Sequence, residues 1–310
     1  MRNSAVCQAG KIGTLGLAAC VAVCSAILLA LAPLAFSQER PYFVAYSHEM
    51  EEPGNLEVEN YSAIGRPNGG NRFWGNTTEL EYGVKAWWTT EFYLDSSSVA
   101  NDSFVFTGFR WEHRIRPLAR EHWINPVLYA EFENINGADK GLKEIVGHDG
   151  AGDLTDSNAI ARQERKREIE LKLILGSNFK GWNVSENFIA EKNLSNEPWE
   201  FGYAVAASRP LKLAASPRSC AFCADKFAAG VEMYGGLGDR RSFGLHDTSH
   251  YIGPAVNWAS PRGFTLSFSP QFGLNDNSLA RIYRFGVSYE VSQIFEKMKA
   301  LTSGRRGNAQ

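Results

Sequence analysis

Glutamate recurs in this chain at alternate positions of apolar-rich segments, with few bases for company. Glu57, Glu59, Glu79, Glu81, Glu91, Glu112, Glu131, Glu133, Glu170, Glu200, Glu232 and Glu290 fall on the polar parity of their segments, where the bases are Arg110, Arg114, Lys172 and Arg284. Charged side chains facing a water-filled passage select ions by sign, so this face suits cations or polar neutral solutes. The same groups could instead shut an interior by carboxylate–guanidinium pairing. An acid excess is easier to keep in a hydrated lumen than in a dry one, which favours water inside.

Other chemistry-bearing residues give weaker signals. Cys220-Ala221-Phe222-Cys223 is a CxxC followed by Ala224, so the usual haem-attachment motif is not met, and no second cysteine pair completes a zinc site. A local disulfide that stiffens a turn is the expectation. His246 and His250 are four apart beside Asp247. That spacing serves a metal on a helix, but Thr248 onward reads as strand, so no metal site is expected. His113 lies on the apolar parity of its segment without an assignable serine partner. No catalytic residue, enzyme activity or cofactor is expected.

The elements that carry these residues read as strands. In Phe264-Thr265-Leu266-Ser267-Phe268 every second residue is apolar, which gives a strand one greasy and one wet face. The pattern returns over 54–65, 77–84, 88–96, 103–115, 125–135, 167–177, 182–193, 198–209, 226–236, 248–258, 263–273 and 280–291. In the fourth of these, Val105, Thr107, Phe109, Trp111 and Ile115 read as one face and Phe106, Gly108, Arg110, Glu112 and Arg114 as the other. Segment 182–193 is ambiguous, because Glu186 shares the parity of Val184 and Phe188. Lys85-Ala86-Trp87, 178–181 and 260–263 read as tight turns, while 66–76, 136–166 and 237–247 are longer. Short turns on one side and long loops on the other fit an outer-membrane barrel with both termini in the periplasm; 116–124 and 210–225 fit less well. The loop 136–166 ends in a charged run, 162–167, read as a solvated strand end or a contact for acidic headgroups. Trp74, Trp87, Trp88, Trp111, Trp123, Trp182, Trp199 and Trp258 mostly lie near strand ends, as interfacial girdles do.

Residues 1–37 read as a signal peptide, with cleavage before Gln38 after Ala35-Phe36-Ser37. An uncleaved helix, or a lipoprotein signal at Leu17-Ala18-Ala19-Cys20, are the other readings. The chain of 310 residues has net charge −2, and without Arg2 and Lys11 the remainder is −4, so nucleic acid is not an expected partner. Of five cysteines only Cys220 and Cys223 follow the leader, which suits an oxidising envelope compartment. The expected organisation is a signal peptide (1–37), a periplasmic segment (38–53), a closed antiparallel transmembrane β-barrel of about twelve strands (54–291) and a short periplasmic tail (292–310), partly helical through Ile294, Phe295, Met298 and Leu301. A membrane protein without spanning helices must close its sheet, because lipid cannot satisfy an open edge.

Glu79-Leu80-Glu81-Tyr82-Gly83-Val84-Lys85-Ala86-Trp87-Trp88 is a strand, a tight turn and the next strand. Arg284-Phe285-Gly286-Val287-Ser288-Tyr289-Glu290-Val291 closes the pattern. In these motifs and across 54–291 the chain resembles bacterial outer-membrane β-barrel proteins of the porin or transporter type, nearest to the group linked with phenol-degradation outer-membrane proteins. The resemblance implies an outer-membrane location, lipid and the barrel-assembly machinery as partners, and passive passage of small polar or cationic solutes. A closed structural barrel whose loops or tail dock an envelope partner is the competing expectation.

Overall fold

The computed structural model describes residues 41–195, 197–217 and 220–299. The leader expected over 1–37 and the end of the tail lie outside the described residues. Twelve strands run in order: β1 (Leu56–Gly65), β2 (Phe73–Lys85), β3 (Trp88–Val99), β4 (Phe104–Ile115), β5 (Asn125–Asn136), β6 (Arg165–Phe179), β7 (Trp182–Asn193), β8 (Trp199–Pro210), β9 (Phe227–Asp239), β10 (His250–Ala259), β11 (Phe264–Gly273) and β12 (Arg281–Val291). Each pairs antiparallel with the next, and β1 pairs β12 from Leu56↔Val291 to Gly65↔Ile282, so the sheet closes into a barrel with no free edge. A short helix α1 (Asn158–Ala161) lies in the β5–β6 loop, and residues 294–299 are helical after β12.

Burial alternates along the strands, but inside out relative to a soluble protein. Leu80, Phe92, Leu94, Trp111, Leu128, Leu171, Phe188, Leu266, Phe285 and Val287 are exposed on the outer face, while Glu79, Glu91, Glu112, Glu131, Glu170 and Arg284 are buried within. An apolar belt around a closed sheet with a polar interior is stable only where hydrocarbon meets the belt. The chain is therefore an outer-membrane β-barrel. Trp87, Trp123, Trp182 and Trp258 gather at the end that carries both termini, at the position of an interfacial girdle.

Two expectations of face need correction or completion. Phe106, expected on the wet face, is 60% exposed on the outside, and Thr107, expected on the apolar face, is 3% exposed on the inside. A β-bulge is the cause. The register slips between Asp95, paired with Gly108, and Ser96, paired with Phe106, so Thr107 is the extra residue; it reverses the parity beside Gly108, whose φ is +155°. In β7, Asn183, Ser185, Asn187 and Glu191 point inward, so Glu186 stands on the outer face.

The asymmetry of connections is weaker than expected. At the terminus-bearing end, 86–87, 180–181 and 260–263 are tight, but 116–124 and 211–226 are not. At the opposite mouth, 100–103 and 194–198 are short beside the long 137–164. Within 211–226, Cys220 and Cys223 are joined by a disulfide, and Phe222 stacks on Trp258 with ring centroids 5.2 Å apart.

The largest departure is inside the barrel. The described part of the segment expected in the periplasm, 41–53, instead lies inside the lumen as a tongue that runs from mid-barrel down to the terminus-bearing end, where it joins β1. Tyr42 Oη donates to Asn183 low on β7, Tyr46 reaches Glu112 and Tyr93 at mid-height, and His48 lies at the low end within 2.9 Å of Glu121. Its backbone is buried and therefore needs acceptors. The Glu232 carboxylate supplies them, accepting from the amides of Val44 (2.7 Å), Ala45 (2.6 Å) and Phe43 (3.2 Å). From the opposite mouth the β5–β6 loop folds in as a second re-entrant segment. Lys140 N donates to Ser97 Oγ at 2.9 Å, and Gly147 bonds to Phe201 and Gly238.

Candidate functional site

The register of the barrel arranges the inward carboxylates in a way that parity alone does not reveal. Glu290 faces Glu57, Glu57 faces Glu81, Glu81 faces Glu91, and Glu91 faces Glu112. The row continues from Glu112 to Glu131, Glu170, Glu191 and Glu200. Strands tilt in a closed barrel, so a row of paired positions climbs as it turns. This one starts at the end of β12 and the beginning of β1, on the terminus-bearing side, and finishes at the start of β8 beside the opposite mouth. A continuous carboxylate track thus winds from one end of the lumen to the other. Like charges placed directly opposite one another destabilise a sheet, so the fold must offset the row with counter-charge.

Much of that counter-charge comes from neighbouring rungs. Arg114 contacts Glu81 and Glu91, and its Nε lies 3.3 Å from Glu112. Arg110 sits among Asp139 (3.1 Å), Asp95 (3.2 Å), Glu144 (3.3 Å) and Glu133 (3.5 Å). Lys172 lies 2.7 Å from Glu170 and 3.4 Å from Glu144, over the rings of Tyr129 and Tyr46. Arg284 is turned elsewhere, donating to the Leu142 carbonyl and to Tyr234 Oη, and so holds the loop against β12 and β9.

The two re-entrant segments meet at mid-barrel. Lys143 of the loop lies 3.4 Å from Glu79, with its ammonium 4.4 Å from the centre of the Tyr93 ring and 4.8 Å from that of Tyr61. It also lies 6.0 Å from the ring of Tyr46 on the tongue. Tyr46 Oη in turn hydrogen-bonds Glu112 at 3.1 Å. Lys143 lines both a cavity of about 380 Å³ on the mouth side and one of about 150 Å³ on the terminus side. The first is walled by Glu133, Asp149, Glu168, Glu191 and Glu200 with Arg110 and Lys166, the second by Glu57, Glu59, Glu79, Glu81 and Glu91 with Arg114. Among the described residues, two acidic cavities thus lie on either side of Lys143, with Tyr46 beside it.

Every lumen residue read from the sequence points into the barrel, but they do not form one site. Glu57, Glu81, Glu91, Glu112, Glu131, Glu170, Glu200 and Glu290 share the track, Glu59, Glu79 and Glu133 lie beside it, and Glu232 anchors the tongue. Glu191, Asp95, Lys143, Glu144 and Tyr46 were not foreseen. Glu191 shares the inward parity of Asn183, Ser185 and Asn187, a signal hidden by Glu186; Lys143, Glu144 and Tyr46 come from segments without periodicity. His246 is exposed and 2.6 Å from Asp247, while His250 is buried against Thr248 and Tyr203, so the pair does not converge. His113 lies against Trp88 and Trp111 on the outer face.

No protein-family model and no curated protein matches this chain. Solved outer-membrane barrels are similar to it in fold. A KdgM porin, solved in complex with disordered oligogalacturonate, aligns over 76% of this chain and 98% of its own at 6% identity, with a TM-score of 0.46. An outer-membrane channel from Pseudomonas putida F1 aligns over 79% and 97% at 13% identity, with a TM-score of 0.48. The NanC porin aligns over 76% and 98% at 11% identity, with a TM-score of 0.43.

Proposed function

We propose that this barrel is a gated outer-membrane passage for small cations and polar solutes, with both termini in the periplasm. The carboxylate track carries the reading: it offers a cation successive oxygen ligands from one mouth to the other, as a charged lining must if it is to select by sign. The Lys143–Tyr46 layer is the gate. Both halves of it belong to re-entrant segments held by hydrogen bonds and ion pairs, so they withdraw without breaking a strand ladder. Conduction needs binding weak enough to release the ion, and Lys143 provides a tethered cation that competes for the same oxygens.

A closed docking barrel is the competing reading, favoured by the three backbone amides seated on Glu232. Planar-bilayer recording separates the two. The full chain should open rarely, and replacing 139–148 by a short Gly/Ser bridge should raise the open fraction and give cation-selective current. Changing Glu79, Glu81, Glu131 and Glu133 to Gln should reduce that selectivity. A shortened barrel that stays silent would refute the passage.

A further inference from the structure

We infer that the mouth-side half of the track binds a hard divalent cation of the calcium class, through Glu133, Glu170 and Glu191. These residues come from β5, β6 and β7, and their carboxylate oxygens lie within 4.8 Å of one another. All three are buried, at 2%, 0% and 7% exposure. Calcium takes oxygen ligands at about 2.3–2.6 Å in adaptable geometry, so a single ion spans oxygens at this spacing and completes its shell with water. Magnesium needs a tighter octahedron, which three rigid strands supply less readily.

A second observation points to the ion independently. Glu170 Oε2, inside the triad and on a residue at 0% exposure, is buried with no hydrogen-bond partner, and so are both oxygens of its cross-strand neighbour Glu131. With Glu144, Glu131 forms a second triad around Glu170, again with oxygens within 4.8 Å. The bases at these carboxylates are Lys172, on Glu170 and Glu144, and Arg110, on Glu133 and Glu144. Lys143 and Lys166 also line the cavity, but Glu79, Asp95, Asp139, Asp149 and Glu168 share these four bases with the five carboxylates, so formal negative charge remains in a recess beside the cavity. A buried charge must be compensated, and Glu133 and Glu191 open onto that cavity, which is the entry path. Glu144 also brings the re-entrant loop to the site, so the ion ties the loop to β5, β6 and β7. The site needs an acidic recess and not a conducting bore, so a silent bilayer would leave it standing.

Calorimetric titration of the chelator-stripped full chain, refolded in detergent without lipopolysaccharide, tests this. Calcium chloride should give a saturable one-site isotherm, and magnesium chloride a weaker one. Glu191→Gln should weaken calcium binding about tenfold or more, equivalent to about 1.4 kcal/mol, while Asp153→Asn, in the same cavity wall but outside the triad, should leave it unchanged. The absence of saturable calcium heat in the native chain would overturn the site, since protons alone would then neutralise the carboxylates. Unchanged affinity in Glu191→Gln, with the heat-modifiable band confirming a folded barrel, would overturn it too. Should that variant fail to refold, terbium luminescence of the native chain decides: emission that calcium displaces supports the site, and emission that it does not displace refutes it.

Discussion

At the scale of single residues, the lumen depends on a few bases. Arg110 faces four carboxylates at 3.1 to 3.5 Å, from β3, β5 and the re-entrant loop. Arg110→Met keeps much of the volume and removes the charge. Breaking a buried ionic cluster by deleting one partner costs about 3–5 kcal/mol, because the remaining charges stay desolvated. The urea midpoint of the heat-modifiable band in refolded vesicles should fall accordingly; an unchanged midpoint would mean that these carboxylates are held by something else. Lys143→Met works in the other direction. It removes the one positive charge among the described residues that borders both cavities, so whatever current flows should become more cation-selective. A reversal potential in a salt gradient reads this directly, and a shift toward anions would contradict the role given to Lys143.

At the scale of elements, the re-entrant loop is fitted to its wall by close approach. A Cβ at Gly75 would come within 2.0 Å of the Lys140 carbonyl. Gly75→Val should therefore push the loop off β2 while the strand, whose outer face is untouched, stays paired. Trypsin should then cut after Lys140 or Lys143 in an otherwise intact barrel; continued resistance at those lysines would show that the loop is held from its other contacts alone. The Cys220–Cys223 bridge closes a very short loop, so replacing both by Ser should cost less than the ~3 kcal/mol expected for a fifteen-residue loop and leave assembly intact. Loss of the folded band would make that turn far more important than its length implies. This scale also shows how much the sequence disclosed. Period-2 alternation placed all twelve strands, and the two cysteines beyond the expected leader named their own bridge. The bulge at Gly108 was not legible, because one extra residue reverses parity without changing composition. Nor was the carboxylate track: alternation tells which face a glutamate takes, whereas its neighbours across the sheet depend on register, which the turns and bulges set.

At the scale of the whole molecule, the apolar belt fixes the location. The protein should stay with the outer-membrane fraction through high-salt and carbonate washes and migrate differently on a gel before and after boiling. Release into the soluble periplasmic fraction would be incompatible with Leu171, Phe188 and Phe285 facing outward. What fills the bore could not be read at this scale. Residues 41–55 carry no repeating pattern, and their burial rests on single long-range partners such as Glu232, Asn187 and Asn183. Each of those partners reads in the sequence only as one more polar residue of a lumen.

The two segments that fill the bore are joined to the barrel at its opposite ends, and in the proposed passage this makes them locks in series. Neither compartment holds both keys. If each segment leaves its seat independently for about one part in a hundred of the time, the bore is clear for about one part in ten thousand, because the populations multiply. The contact between Lys143 and Tyr46 adds a correlation: a segment that has lost its neighbour has one fewer reason to stay. Under the proposed gating, a barrel built in this way would keep its leak low without any very tight closure, and would open fully only when events on the two sides coincide.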